Sequence, residues 1–201
     1  MEIIDKLQYE KEFLKKGYTL IGGVDEVGRG PLAGPVVCAC VVMPLDDIIE
    51  GVDDSKKLSK KKREALYDLI TKKAISYSIQ KVEPEVIDEV NILNATKLCM
   101  KNAIETLSIK PEVVLIDAVK IETSVETFSI IKGDLKSYSI GCASIIAKVY
   151  RDRLMEDYAK IYPQYGFEKH SGYGTKQHIA AIKEIGACPI HRKTFIKNFL
   201  A

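Results

Sequence analysis

The chain mixes short, strongly apolar runs with longer stretches whose apolar positions recur every three or four residues. Residues 35–43 (PVVCACVVM) are almost unbroken in their apolarity, which predicts a central strand covered on both faces. Residues 19–25 and 112–117 (EVVLID) predict two further strands, each ending in an acid, and residues 127–132 predict a short one. Ile75, Tyr77 and Ile79 alternate with polar residues, as on a half-buried strand.

Helical spacing accounts for most of the remainder. Ile3, Ile4, Leu7 and Leu14 share one stripe and Gly17 stops it, so residues 2–16 predict an opening helix. Ser59 is placed to cap a helix carrying Leu66, Leu69 and Ile70. Pro84 opens a short helix, and a longer one follows near residues 92–107. The longest helix runs from about 138 to 161, with Ile146, Ala147, Val149 and Tyr150 as inward candidates. A last helix, residues 175–185, closes on Gly186. Strands come first in tight succession and then alternate with helices, and the last third is helical. The pattern predicts an α/β layer fold with a mixed sheet flanked by helices and a helical C-terminal part. No repeat or linker interrupts residues 1–201, so they read as a single unit, an α/β core over about 1–160 and a helical appendage over about 161–201.

Composition narrows the class. With 46% hydrophobic and 29% charged residues, 201 residues suffice for a full core. No apolar run approaches the roughly 20 residues a membrane span needs. The acid-bearing start, MEIIDKLQYEKEF, does not resemble a secretory signal, so a cytoplasmic location without membrane contact is expected. The five cysteines are odd in number and lack a C-x-x-C pair, which fits reduced, buried thiols. A net charge of +2 does not announce nucleic acid, but two basic clusters stand out. One holds Lys56, Lys57, Lys60, Lys61, Lys62 and Arg63; the other holds His191, Arg192, Lys193 and Lys197. Each is either a solvated face or a phosphate contact. His170, His178 and His191 lack ligand partners at helical spacing and read as surface or loop residues.

Four acids sit at strand ends or just beyond: Asp25 and Glu26 at the end of the first strand, Asp117 at the end of VVLID, and Asp134 after the short strand. Acids converging on the rim of an apolar sheet repel and raise one another's pKa unless cations neutralise them. Oxygen-only ligands suit Mg²⁺ or Mn²⁺, and two such ions about 4 Å apart suit phosphodiester hydrolysis. Spacing alone leaves helix capping and solvated loops open for each acid.

Gly28, Gly30 and Gly34 give G-x-G-x-x-x-G, one residue off the dinucleotide fingerprint. A strand follows where that fingerprint needs a helix, and Asp25 and Glu26 would repel a pyrophosphate, so nucleotide-cofactor binding is rejected. The loop is either a tight β-turn or a backbone that approaches a ligand closely, such as 2′-hydroxyls in an A-like minor groove.

The run from Val24 to Val36 (VDEVGRGPLAGPV) resembles the opening motif of ribonuclease HII. So do Asp54-Ser55-Lys56-Lys57-Leu58, Leu115-Ile116-Asp117, Lys132-Gly133-Asp134, ASIIAKVYRD over 143–152, Gly172-Tyr173-Gly174-Thr175 and His191-Arg192-Lys193-Thr194-Phe195, in the family's order. The resemblance implies a ribonuclease H-like fold and hydrolysis of the RNA strand in RNA/DNA hybrids. It also implies incision 5′ of ribonucleotides embedded in duplex DNA. Asp25, Glu26, Asp117 and Asp134 would be the catalytic, metal-binding carboxylates, and Gly28, Arg29 and Gly30 the loop that senses the ribose. Tyr173 would stack on the sugar at the junction, and Lys56, Ser144 and Lys148 would lie near the nucleic-acid backbone. Asp152 would have a structural role.

The family often has glycine after the third acid, where this chain has Ala118. No obligate protein partner is implied, so a monomer is expected. The rival readings are a DNA-junction nuclease of the same fold and a non-catalytic hybrid-binding module. The second would be expected to lack one or more of the four acids.

Overall fold

The structure, a computed structural model, describes residues 6–199. Ile3 and Ile4 of the expected opening helix lie outside the described residues. The remainder of that helix is α1 (Gln8–Lys15), and Gly17 follows it at φ +92°.

Five strands form one mixed sheet in the order β3-β2-β1-β4-β5. β1 (Ile21–Val27) pairs antiparallel with β2 (Val36–Val42), which pairs antiparallel with β3 (Ser76–Val82). On its other side β1 pairs parallel with β4 (Val113–Asp117), and β4 with β5 (Glu126–Ile130). The helices α2 (Lys60–Lys73), α3 (Pro84–Glu105) and α5 (Tyr138–Ile161) cover the sheet.

The apolar run of β2 follows from this sandwiching. Its side chains alternate between faces: Val36, Cys38, Cys40 and Val42 join the core under α3, and Val37, Ala39 and Val41 join the core under α2 and α5. Every residue of the strand is buried. Helix starts follow the capping residues: Ser59 and Ser137 each accept a hydrogen bond from the backbone N–H three residues on. The two helices expected after Pro84 are one element broken at Asn91, whose φ is 66° and whose Oδ1 accepts from the Leu93 and Asn94 N–H groups.

After α5 come a 3₁₀ turn (Pro163–Tyr165) and the short helix α6 (Phe167–His170). Then come α7 (Lys176–Ile185), capped by Thr175 and followed by Gly186, and α8 (Lys193–Ile196). α4 (Gly133–Lys136) is a single turn before α5. The C-terminal elements pack Tyr165, Phe167, Ile182 and Ile196 on Met155 of α5 and on Leu32 and Ala33. The tail therefore supports the glycine loop from beneath.

Two expectations are corrected. At the start of β3 the alternation is inverted: Ser76 and Ser78 are buried, while Ile75, just before the strand, and Tyr77 are 40% and 42% exposed; Ile79 is half-buried against the core as expected. The serines pay for their burial with hydrogen bonds, Ser76 to Ser108 and Ile109, and Ser78 to the Ala103 carbonyl of α3. The histidines are not surface groups either. His178 and His191 are buried and His170 half-buried, all three ringed with Tyr165 and Phe167. All five cysteines are free, and four are buried. Among the described residues no helix is long and apolar enough to cross a membrane.

Candidate active site

Parallel pairing of β1 with β4 places the first and third acids together. Val24 pairs with Ile116, and Asp25 and Asp117 are the next residues on these neighbouring strands. Asp117 accepts a hydrogen bond from the Gly133 N–H at 2.8 Å, which brings the loop carrying Asp134 onto the end of β4. A Cβ on Gly133 would stand 3.4 Å from the Asp117 Cα, so this approach is close.

Asp25 is only 7% exposed. Burial above all, then the neighbouring Glu26, push its carboxyl well above the usual range, with Asp117 adding to the effect; a hydrogen bond from Ser144 partly offsets it. Ser144 sits on α5 and also shares a 2.9 Å hydrogen bond with Ser55 of the Asp-Ser-Lys-Lys segment. Asp134 is raised too, first by burial and then by the charges of Asp117 and Asp54, while Lys56 acts in the opposite direction. Glu26 points to the other face of β1, where Arg29 Nη1 lies 3.2 Å from its Oε1. Its Oε2 is buried and has no hydrogen-bond partner among the described residues.

Among the described residues no group of three His, Cys, Asp or Glu side chains is already arranged to hold a metal ion. The chemistry of the donors nevertheless fits one. Crowded carboxylates, with Asp25 and Asp134 raised by burial and by their acidic neighbours and a Glu26 oxygen unpaired among the described residues, are the surroundings a hard divalent cation relieves.

The glycine loop meets the tyrosine. Gly28 and Gly34 have φ of +91° and +83°, and a Cβ on Gly30 would lie 3.6 Å from Tyr173 Cε1. Arg29 and Gly30 are exposed, and Tyr173 is 45% exposed. The Tyr173 carbonyl accepts from His178 Nδ1 at 2.9 Å. A carbonyl can only accept, so the His178 Nε2 accepts in turn from His191 Nε2 at 3.0 Å, and His191 Nδ1 accepts from the Cys188 N–H at 2.9 Å.

The remaining expected contacts divide. Lys56 is exposed, and its charge acts on Asp134. Lys148 is paired at 2.6 Å with Asp152, which also accepts from Ser171 and meets Arg63 at 3.5 Å. Asp152 thus joins α5, α2 and the Tyr173 loop, which fits a structural role. Arg192, expected in a basic cluster, is fully buried, and so is Arg151. Both lie inside the motif blocks, yet nothing local in the sequence marks them as buried.

Residues 22–198 match the sequence profile of Ribonuclease HII. A ribonuclease HII of Caldicellulosiruptor saccharolyticus is 56% identical over 194 residues, covering 96% of this chain and 95% of the relative. The crystal structure of ribonuclease H2 from Pyrococcus horikoshii superposes with a TM-score of 0.78 at 29% identity, over 90% of this chain and 97% of that one. A PCNA:RNase HII complex from Archaeoglobus fulgidus gives 0.77 at 30% identity, with the same coverage. The mixed sheet flanked by helices is the ribonuclease H-like fold, and the chain belongs to the ribonuclease HII family, endonucleolytic hydrolases of RNA/DNA hybrids.

Proposed function

We propose that this enzyme hydrolyses the RNA strand of hybrids and also incises 5′ of ribonucleotides embedded in duplex DNA, leaving 3′-hydroxyl and 5′-phosphate ends. The observation that carries the catalytic part is the buried Asp25 carboxyl beside Asp117 of the neighbouring strand, with Glu26 next along β1 and Asp134 brought in through Gly133. Asp25, Glu26, Asp117 and Asp134 would hold Mg²⁺ or Mn²⁺, two ions when substrate is bound. Such ions supply an activated water and charge stabilisation at the leaving oxygen. Ser144 of α5 lowers the Asp25 carboxyl pKa against the pull of burial, and Arg29 pairs with Glu26.

Ribose recognition would fall to Gly28, Arg29 and Gly30 with Tyr173, whose exposed ring faces Gly30 and is available to stack on a sugar. Lys56 and the Lys148 region would follow the nucleic-acid backbone. The biological task is removal of misincorporated ribonucleotides and RNA primers, in the cytoplasm. One related protein was solved as a complex with PCNA, so an absence of protein partners has no support.

Asp117→Asn tests the catalytic assignment. It removes one charged ligand and should abolish hybrid cleavage while hybrid binding survives; near-normal turnover would overturn the role. A DNA-only junction panel left uncut separates this reading from a junction nuclease.

A further inference from the structure

Arg151 and Arg192 are both 0% exposed and head the fully buried side chains by size. Burying a guanidinium is costly unless its donors are satisfied. Here every satisfied donor goes to a backbone carbonyl. Arg192 donates from Nε and Nη2 to Gly34, from Nη1 to Arg29 at 2.8 Å, and from Nη2 to Gly28. Arg151 donates to Pro35 at 3.0 Å, to Ala33 at 3.1 Å and to Ser171 at 3.0 Å. Among the described residues neither forms an ion pair with a carboxylate.

Five of these six acceptors belong to residues 28–35, and the sixth precedes Gly172-Tyr173. The glycines fit around the guanidiniums. A Cβ on Gly28 would stand 2.2 Å from Arg151 Nε, and one on Gly34 would stand 3.3 Å from its Nη2. A trans peptide points its C=O and N–H in opposite directions. Drawing the Gly28 and Arg29 carbonyls inward therefore turns the N–H groups of Arg29 and Gly30 away from Arg192. Both residues are exposed, and neither N–H has an acceptor among the described residues.

We propose that Arg192, seconded by Arg151, is a positioning residue for ribose recognition: it clamps the Gly28–Arg29 carbonyls so that the following N–H groups face the substrate, and Arg151 fixes that loop to the Tyr173 loop. This rests on the assignment of Gly28, Arg29, Gly30 and Tyr173 as the ribose reader. The two arginines touch no substrate themselves. Their planar, multi-donor heads span several carbonyls at once, which a lysine ammonium cannot do in the same geometry.

The test is binding in EDTA, where no cleavage occurs, of a DNA duplex containing one ribonucleotide and of the same duplex in all-DNA form. The wild type should prefer the ribonucleotide duplex. Arg192→Lys keeps the charge, so its affinity for the all-DNA duplex should hold while the preference falls by about fivefold or more. A folded Arg192→Lys protein with an undiminished preference overturns the clamp. A wild type with no preference overturns the ribose reader itself, and the clamp with it. If Arg192→Lys does not fold, Arg151→Lys cuts the bonds that tie Ala33 and Pro35 to Ser171 instead and must still lower the preference. An unchanged ratio there also overturns the proposal.

Discussion

A Cβ built on Gly23 would stand 2.2 Å from the carbonyl carbon of Ser139 and 2.4 Å from the Ile140 nitrogen. Strand β1 and the first turn of α5 are thus in direct backbone contact, and this contact sets Ser144, five residues along α5, beside Asp25. Neither neighbour is a flexible side-chain end, so relief requires moving the helix. Gly23→Ala should cost about 3 kcal/mol or more of unfolding free energy. Urea denaturation checks this, and a loss below about 1 kcal/mol would contradict the contact.

Ala118 follows Asp117 at φ 52°, in the left-handed region that disfavours a Cβ. It is exposed, and its N–H donates to the Ile130 carbonyl at 3.0 Å, a bond glycine keeps. Ala118→Gly should therefore stabilise the protein by roughly 0.5–1 kcal/mol despite the added freedom of the unfolded chain. A fall in melting temperature would argue against this loop conformation.

His191 is buried beside His178, and burial followed by that neighbour pushes its pKa down to about 4. His178 is lowered in the same direction, chiefly by burial. In the unfolded chain a histidine takes up its proton near pH 6.5. Between about 6.5 and 4 the unfolded state binds more protons, so stability is full above that window and is lost as pH falls through it. His191 alone should contribute about 2 kcal/mol of loss by pH 5 relative to pH 7.5. His191→Gln should flatten this slope in denaturation curves; an unchanged slope would place the proton elsewhere.

Tyr173 is half-exposed, so Tyr173→Ala should leave stability within about 0.5 kcal/mol. Lost stacking should lower cleavage at a single ribonucleotide by roughly 10-fold to 100-fold. Steady-state rates on that duplex, alongside a melting curve, separate the two effects.

The sheet was legible because strand signals are local: the unbroken run of β2, the acid-ended β4 and the capped helices each carry their own pattern. The four acids were legible as strand-end groups, but their meeting needed the β1–β4 pairing, which joins residues about 90 positions apart. The start of β3 misled because small serines can turn inward where α3 and the segment after it supply hydrogen-bond partners, which leaves the larger Ile75 and Tyr77 outside. Arg151, Arg192 and the histidines were illegible for a similar reason. Arg192 finds its carbonyl partners 158 to 164 residues earlier in the chain, and no local pattern encodes that.

The most direct measurement is cleavage of an end-labelled DNA duplex carrying one ribonucleotide, with Mg²⁺, with Mn²⁺ and with EDTA. The account predicts one metal-dependent cut, 5′ of the ribonucleotide, and none in EDTA. Cleavage confined to continuous hybrids would contradict the ribose-reading role of Gly28, Arg29, Gly30 and Tyr173, and cleavage that persists in EDTA would contradict the metal-binding role of the four carboxylates.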